Sequence, residues 1–128
     1  MLTIHKILIP KKIMYIRIMI DSKLLRGSLD TIILKLMDDH DEMYGYEITQ
    51  KVKELTAGEL KITEGALYPA LHRLEGKGIL TTEIRSIGNR MRKYYSLTES
   101  GKTEVETQLN AMEDFINSIN LILKPKIA

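Results

Sequence analysis

The sequence predicts a mainly α (α+β) domain in which three short helices, a two-stranded hairpin and one long final helix follow each other in that order. Three observations carry this expectation. Apolar stripes recur at helical spacing in three segments before Gly76. Two runs rich in Ile, Thr and Tyr, Ile79 to Arg85 and Met91 to Leu97, flank a Gly88-Asn89 pair of the kind that closes hairpins. Beyond them, Val105, Leu109, Met112, Ile116, Ile119 and Leu123 repeat at alternating steps of 4 and 3, the spacing of a heptad seam. At 128 residues the chain has room for one domain with an appendage.

The elements follow in order. Leu24, Leu25, Leu29, Ile32, Ile33, Leu36 and Met37 form a buried stripe, which places a first helix over about residues 22 to 39 with Asp21 or Ser22 as its N-cap. The polar run "DDHDEM" ends it. A second, short helix starts near Gly45, turns Ile48, Val52 and Leu55 inward and stops before Ala57-Gly58. Thr63 caps a third helix with Leu67, Leu71 and Leu74 on its inner side, and Gly76 and Gly78 bracket its end. Thr98 caps the last helix, from Glu99 to about Leu123, and Pro125 lies beyond it. Gly101 in its first turn costs about 1 kcal/mol of helix propensity.

The first twenty residues are apolar, but His5, Lys6, Pro10, Lys11, Lys12 and Arg17 interrupt every run, which excludes a signal peptide and a membrane span. Ile16 to Ile20 alternates as a short strand would, and Met14 and Met19 offer later translation starts. Residues 1–21 are therefore set apart as an extension, residues 22–98 as the domain proper and residues 99–128 as a terminal helix and tail. An arm on a partner, a membrane-surface segment and a segment without a role all remain open for the extension. With no cysteine, disulfides and thiolate chemistry are excluded, and a reducing cytoplasm is the expected compartment.

The net charge of +2 points to no class of partner, but its distribution does. Between Arg85 and Lys93 there are four basic residues and no acid, whereas Glu99 to Asn120 holds five acids and one lysine. The third helix has an outer face of another kind. With its leucines inward, a turn of about 100° per residue puts Gly65, Pro69, His72, Arg73 and Gly76 outside, flanked by Tyr68. Glycine and proline keep that face low, so another surface can approach its backbone, and Pro69 should bend the helix near its start. The order of elements together with this face describes a winged helix-turn-helix with a long C-terminal dimerisation helix, the third helix entering a DNA groove and the hairpin lying beside it.

Three stretches, "YGYEI" at residues 44–48, "EGALYPALHRLEGKGIL" at 64–80 and "RKYYSLTESG" at 92–101, together resemble the signatures of PadR-like transcriptional regulators. The single helix after the hairpin is similar to that of the short subfamily. The resemblance implies a homodimeric repressor that binds a palindromic operator on double-stranded DNA and releases it on sensing a small hydrophobic effector. The extension before residue 22 has no counterpart in the usual pattern.

Site expectations follow from both readings. Lys61 and Thr63 are placed to hold a phosphate at the start of the third helix. Gly65, Tyr68, Pro69, His72 and Arg73 form the surface laid on DNA, with Tyr68 implied by resemblance and packing on the wing as its competing role. Arg90, Arg92 and Lys93 of the wing are placed to neutralise phosphates, with Arg85 across the hairpin, and one of Tyr94 and Tyr95 belongs to the core. Val105, Leu109, Met112, Ile116, Ile119 and Leu123 form the dimer seam, with folding back onto their own domain as the alternative. Leu29, Met37, Met112 and Phe115 would line an effector pocket, ordinary dimer core being the plainer account of them.

No cofactor or metal is expected. "DDHDE" at 38–42 lacks the glycine and spacing of a calcium loop, and no acid, base and nucleophile can be assembled from His5, His40 and His72, which speaks against an enzyme. The remaining alternative is a winged-helix protein-interaction module that does not bind DNA specifically.

Overall fold

A computed structural model describes residues 11–124, with side chains from Lys23 to Lys124. Among the described residues seven elements follow in chain order: α1 (Lys11–Asp39), β1 (Met43–Tyr44), α2 (Gly45–Leu55), α3 (Glu64–Gly76), β2 (Leu80–Ile87), β3 (Arg90–Leu97) and α4 (Glu99–Leu123). The architecture is a winged helix with a long C-terminal helix, as the order of sequence patterns predicts.

One core holds α1, α2, α3 and the base of the sheet together. Ile33 and Leu34 of α1, Ile48 of α2 and Leu67, Ala70, Leu71 and Leu74 of α3 are all inaccessible to solvent. Full burial of such side chains contributes about 1.5–3 kcal/mol each, so the orientation of α3 is fixed mainly by its leucine stripe. Gly78, at φ +73°, ends α3 as expected: Ile79 N–H donates to the Leu74 carbonyl and Gly78 N–H to that of Glu75, the Schellman arrangement.

The sheet order is β1-β3-β2, all antiparallel, with Leu80 opposite Leu97 at the base and Ile87 opposite Arg90 at the tip. Gly88 has φ +61° as first residue of the two-residue turn, the position a type II′ hairpin reserves for glycine. No sequence pattern predicts β1. It pairs Met43 with Tyr95 and Tyr44 with Tyr94, and two residues are too few to show an alternation.

Four sequence expectations need correction. α1 begins at Lys11 and runs through Asp21 and Ser22, so neither is its N-cap. Ile16 to Ile20 is helical, not a strand, because it continues the same helix. Leu24, assigned to the buried stripe, is exposed; the stripe instead includes Leu34. Leu55, expected on the inner side of the second helix with Ile48 and Val52, is exposed as well, because it is the last residue of α2, past the part packed on the core. The role expected of residues 1–10 lies outside the described residues, as does Pro125.

Gly101 finds its reason here. It is buried against the start of β2, and a Cβ at this position would collide with the Ile79 carbonyl oxygen. The Thr98 side chain caps α4 by accepting from Gly101 N–H (3.0 Å), and its hydroxyl lies 2.6 Å from the Gly78 carbonyl. The glycine thus brings the base of the wing into contact with α4.

Candidate nucleic-acid interface

Every residue expected on the outer side of α3 is exposed: Gly65, Tyr68, Pro69, His72, Arg73 and Gly76. Thr63 caps the helix, accepting from Ala66 N–H at 3.2 Å. Pro69 lies inside a helix that continues unbroken from Glu64 to Gly76. Tyr68 reaches across to the start of α2, where a methyl group on Gly45 would fall 2.5 Å from its Oη. The absence of a side chain at Gly45 leaves room for the end of the Tyr68 ring there.

Beside this face lies a cleft of about 520 Å³ lined by Tyr44, Gly45, Tyr68, His72, Met91, Arg92, Lys93 and Tyr95. It separates α3 from the wing and brings Tyr68, His72, Arg92 and Lys93 together. Arg90 stands at the tip on an adjoining depression with Tyr44, Tyr46, Met91 and Arg92. Lys61 and Thr63 border a smaller cleft, about 130 Å³, at the start of α3. Arg26 of α1 also borders it, a cation that sequence reasoning misses because nothing in the chain order shows that α1 passes the start of α3.

The basic side chains differ in how far their charge is already met. Arg73 pairs with Asp30 of α1 at 3.1 Å. Lys93 pairs with Glu75 of α3 at 3.1 Å and lies 5.5 Å over the Tyr95 ring. Arg85 forms a two-pronged pair with Glu42 and a second with Glu83, and these carboxylates, Glu42 first, raise its pKa further. Glu75 is held below its ordinary carboxylate pKa by the Thr82 hydroxyl and then by Lys93. Among the described residues Arg26, Lys61, Arg90 and Arg92 meet no carboxylate in a salt bridge. Tyr95 is the core tyrosine of the pair, and burial pushes its phenol pKa up.

The pattern of the family described as "Transcriptional regulator PadR-like family" matches residues 33–107. The chain belongs to the PadR-like family of transcriptional regulators. A relative, a transcriptional regulator of Mycobacterium tuberculosis, is 33% identical over 62% of this chain and 71% of its own length. A transcriptional regulator of Clostridium thermocellum has the same fold, with a TM-score of 0.73, 31% identity, and coverage of 80% of this chain and 99% of that one. Bacillus subtilis PadR, solved in complex with operator DNA, is 33% identical with a TM-score of 0.58 over 63% of this chain and 45% of its own. Among the described residues no helix is long and apolar enough to cross a membrane.

The other PadR-like expectations concern α4. Val105 is buried in its own domain and Leu109 packs against the same core, so the first half of the seam folds back on the chain that carries it. Further along, Phe115, Ile116, Leu121, Ile122 and Leu123 are exposed, and Met112 and Ile119 are half-buried. Met112 and Phe115 line an apolar groove of about 500 Å³ with Leu24, Gly27, Thr31, Gln108 and Ala111, between α1 and α4. Leu29 and Met37, expected with them, are core residues and do not line this groove, because they lie on the side of α1 turned toward the domain core.

Proposed function

We propose that this PadR-like regulator is a repressor that binds an inverted-repeat operator as a homodimer. The observation that carries the reading is the low outer face of α3 set beside cations that no described carboxylate holds. Tyr68, His72 and Arg73 would lie in the major groove. Lys61, Thr63 and Arg26 would grip a phosphate at one end of α3, and Arg90 and Arg92 would do so from the wing. Lys93 would join them by exchanging Glu75 for a phosphate.

The exposed apolar second half of α4 supports the dimer. Ile116, Ile119 and Leu123 of the seam would pack against a mate, placing two α3 helices about 34 Å apart along the duplex. The groove between α1 and α4, with Met112 and Phe115 in its wall, is where a small hydrophobic effector would act.

Gel shift of the chain's own promoter DNA at two salt concentrations tests the reading. Specific retention that weakens with salt is expected. Equal affinity for a scrambled duplex, or no retention at low salt, would favour a protein-interaction module instead. Ile116→Glu should convert the dimer to monomer in light scattering and lower operator affinity; an unchanged mass would place the interface elsewhere.

A further inference from the structure

We propose that Tyr44 is the positioning residue for Arg92, holding its guanidinium on one face of the wing, and that this pair, rather than Arg85, carries the middle of the wing onto DNA. The proposal rests on the DNA-binding reading above and names the residue that prepares one of its contacts.

The register brings the relevant side chains to one face of the sheet. Arg85 of β2 is opposite Arg92 of β3, Glu83 is opposite Tyr94, and Tyr44 of β1 is opposite Tyr94 on the other side. Along that face cations and rings interleave. Arg85 lies 4.3 Å over the Tyr94 ring, Tyr94 meets Tyr44 edge-on with centroids 5.5 Å apart, and Arg92 lies 4.3 Å over the Tyr44 ring.

The two arginines are treated differently by their surroundings. Two like charges opposite each other on adjacent strands repel, and the pair persists only where each finds compensation. Arg85 finds it in Glu42 and Glu83, whose carboxylates occupy its donors. Arg92 finds it in the Tyr44 ring and in a hydrogen bond to the Tyr94 hydroxyl, which raises its pKa further. The nearby acid on α2, Glu47, accepts from the Tyr44 backbone N–H at 3.1 Å as part of the α2 N-terminus, so it forms no salt bridge with Arg92. A carboxylate would orient Arg92 by neutralising it. A ring orients the cation through its quadrupole and leaves both the net charge and the donors turned away from the ring for an outside acceptor.

Tyr44 is suited to this because it is itself held, by the ladder to Tyr94 and by Glu47 at the α2 start. Arg92 borders a depression shared with Tyr44, Tyr46 and Arg90, so a guanidinium fixed there stands beside the second free cation of the wing. Pre-ordering a long side chain lowers what binding must later supply, which makes Tyr44 felt in affinity without touching DNA.

The test is a double-mutant cycle read on promoter duplex. Tyr44→Leu should weaken binding about 3- to 10-fold, the range of a partly exposed cation–π contact. Tyr44→Phe, which keeps the ring, should bind as the wild type does, and in an Arg92→Ala background Tyr44→Leu should add no further loss. In the free protein, ring-current displacement of the Arg92 side-chain proton signals should survive Tyr44→Phe and vanish in Tyr44→Leu. An equal loss in both backgrounds, a Phe variant as weak as the Leu variant, or Arg92 signals unmoved by Tyr44→Leu would overturn the proposal while leaving DNA binding intact. A wild-type chain that does not retain the duplex would overturn the DNA reading and this proposal together.

Discussion

The helix α3 and the wing are neighbours across one cleft, yet they are held in place by different forces. α3 owes its position to four inaccessible apolar side chains beneath it, while its outer face carries almost no charge. The wing beyond its base has little beneath it; Ile84 and Met91 are 62% and 69% exposed. Its side chains are arranged by ion pairs and ring contacts. The difference teaches that shape and charge have separate sources on this surface. Core packing sets where the rigid surface lies, and polar contacts set where the cations point.

The largest effect should come from removing the packing under α3. Leu71→Ala should cost about 2–5 kcal/mol in chemical denaturation, as a large-to-small change at an inaccessible site does. Ile84→Ala in the wing should stay within about 0.5 kcal/mol of wild type. Comparable losses at both sites would break the contrast.

Next is the contact that joins α2 to α3. Gly45→Ala must displace Tyr68, whose end is free to swing because the side chain is 45% exposed. Thermal stability should therefore fall by no more than about 1 kcal/mol, below the upper range for overpacking, while promoter affinity drops clearly. In a Tyr68→Ala background, Gly45→Ala should have no further effect; a loss that persists there would locate the clash elsewhere.

Salt dependence sharpens the account of the wing. Arg90→Ala and Arg92→Ala should each lower the slope of log affinity against log salt by roughly 0.9. Arg85→Ala should leave that slope close to wild type, since its partners Glu42 and Glu83 already occupy it. Equal slope changes for all three would show that the internal ion pairs do not sort the cations.

The smallest effect concerns pH. Glu75 ties α3 to the wing through Thr82 and Lys93, and its folded-state pKa lies below the ordinary 4.5. A depressed carboxylate pKa contributes stability above the unfolded value and loses it as pH falls through the folded one. Wild-type melting temperature should thus decline below pH 4.5 slightly more steeply than that of Glu75→Gln. Superimposable acid limbs would mean that this surface tie contributes nothing measurable.

Much of the fold is legible in the sequence because its determinants are local. Thr63 and Thr98 announce their helices by capping chemistry, Gly88 announces its turn, and the three leucines of α3 announce which face is buried. The exposed outer side of α3 follows from the same periodicity. What cannot be read depends on which segments meet. Arg26 beside Lys61, Asp30 beside Arg73 and Tyr44 beneath Arg92 each join residues far apart in the chain. The helical seam of α4 reads as one surface, but Val105 and Leu109 face the domain that carries them, because α4 leaves its own core only after its first few turns. A heptad pattern cannot show where that departure occurs.

The glycine at the start of α4 has a further consequence. With Gly101 against the Ile79 carbonyl and Thr98 bonded to the same corner, the wing base and the 25-residue helix turn as one lever. At 1.5 Å per residue the arm is about 37 Å long, so a tilt of about 5° at the corner carries its far end about 3 Å. In a dimer joined along that arm, small readjustments at the far end would return to the wings as changes of the distance between them. The tolerance of the pair for operators of unequal spacing would then be set at one residue without a side chain.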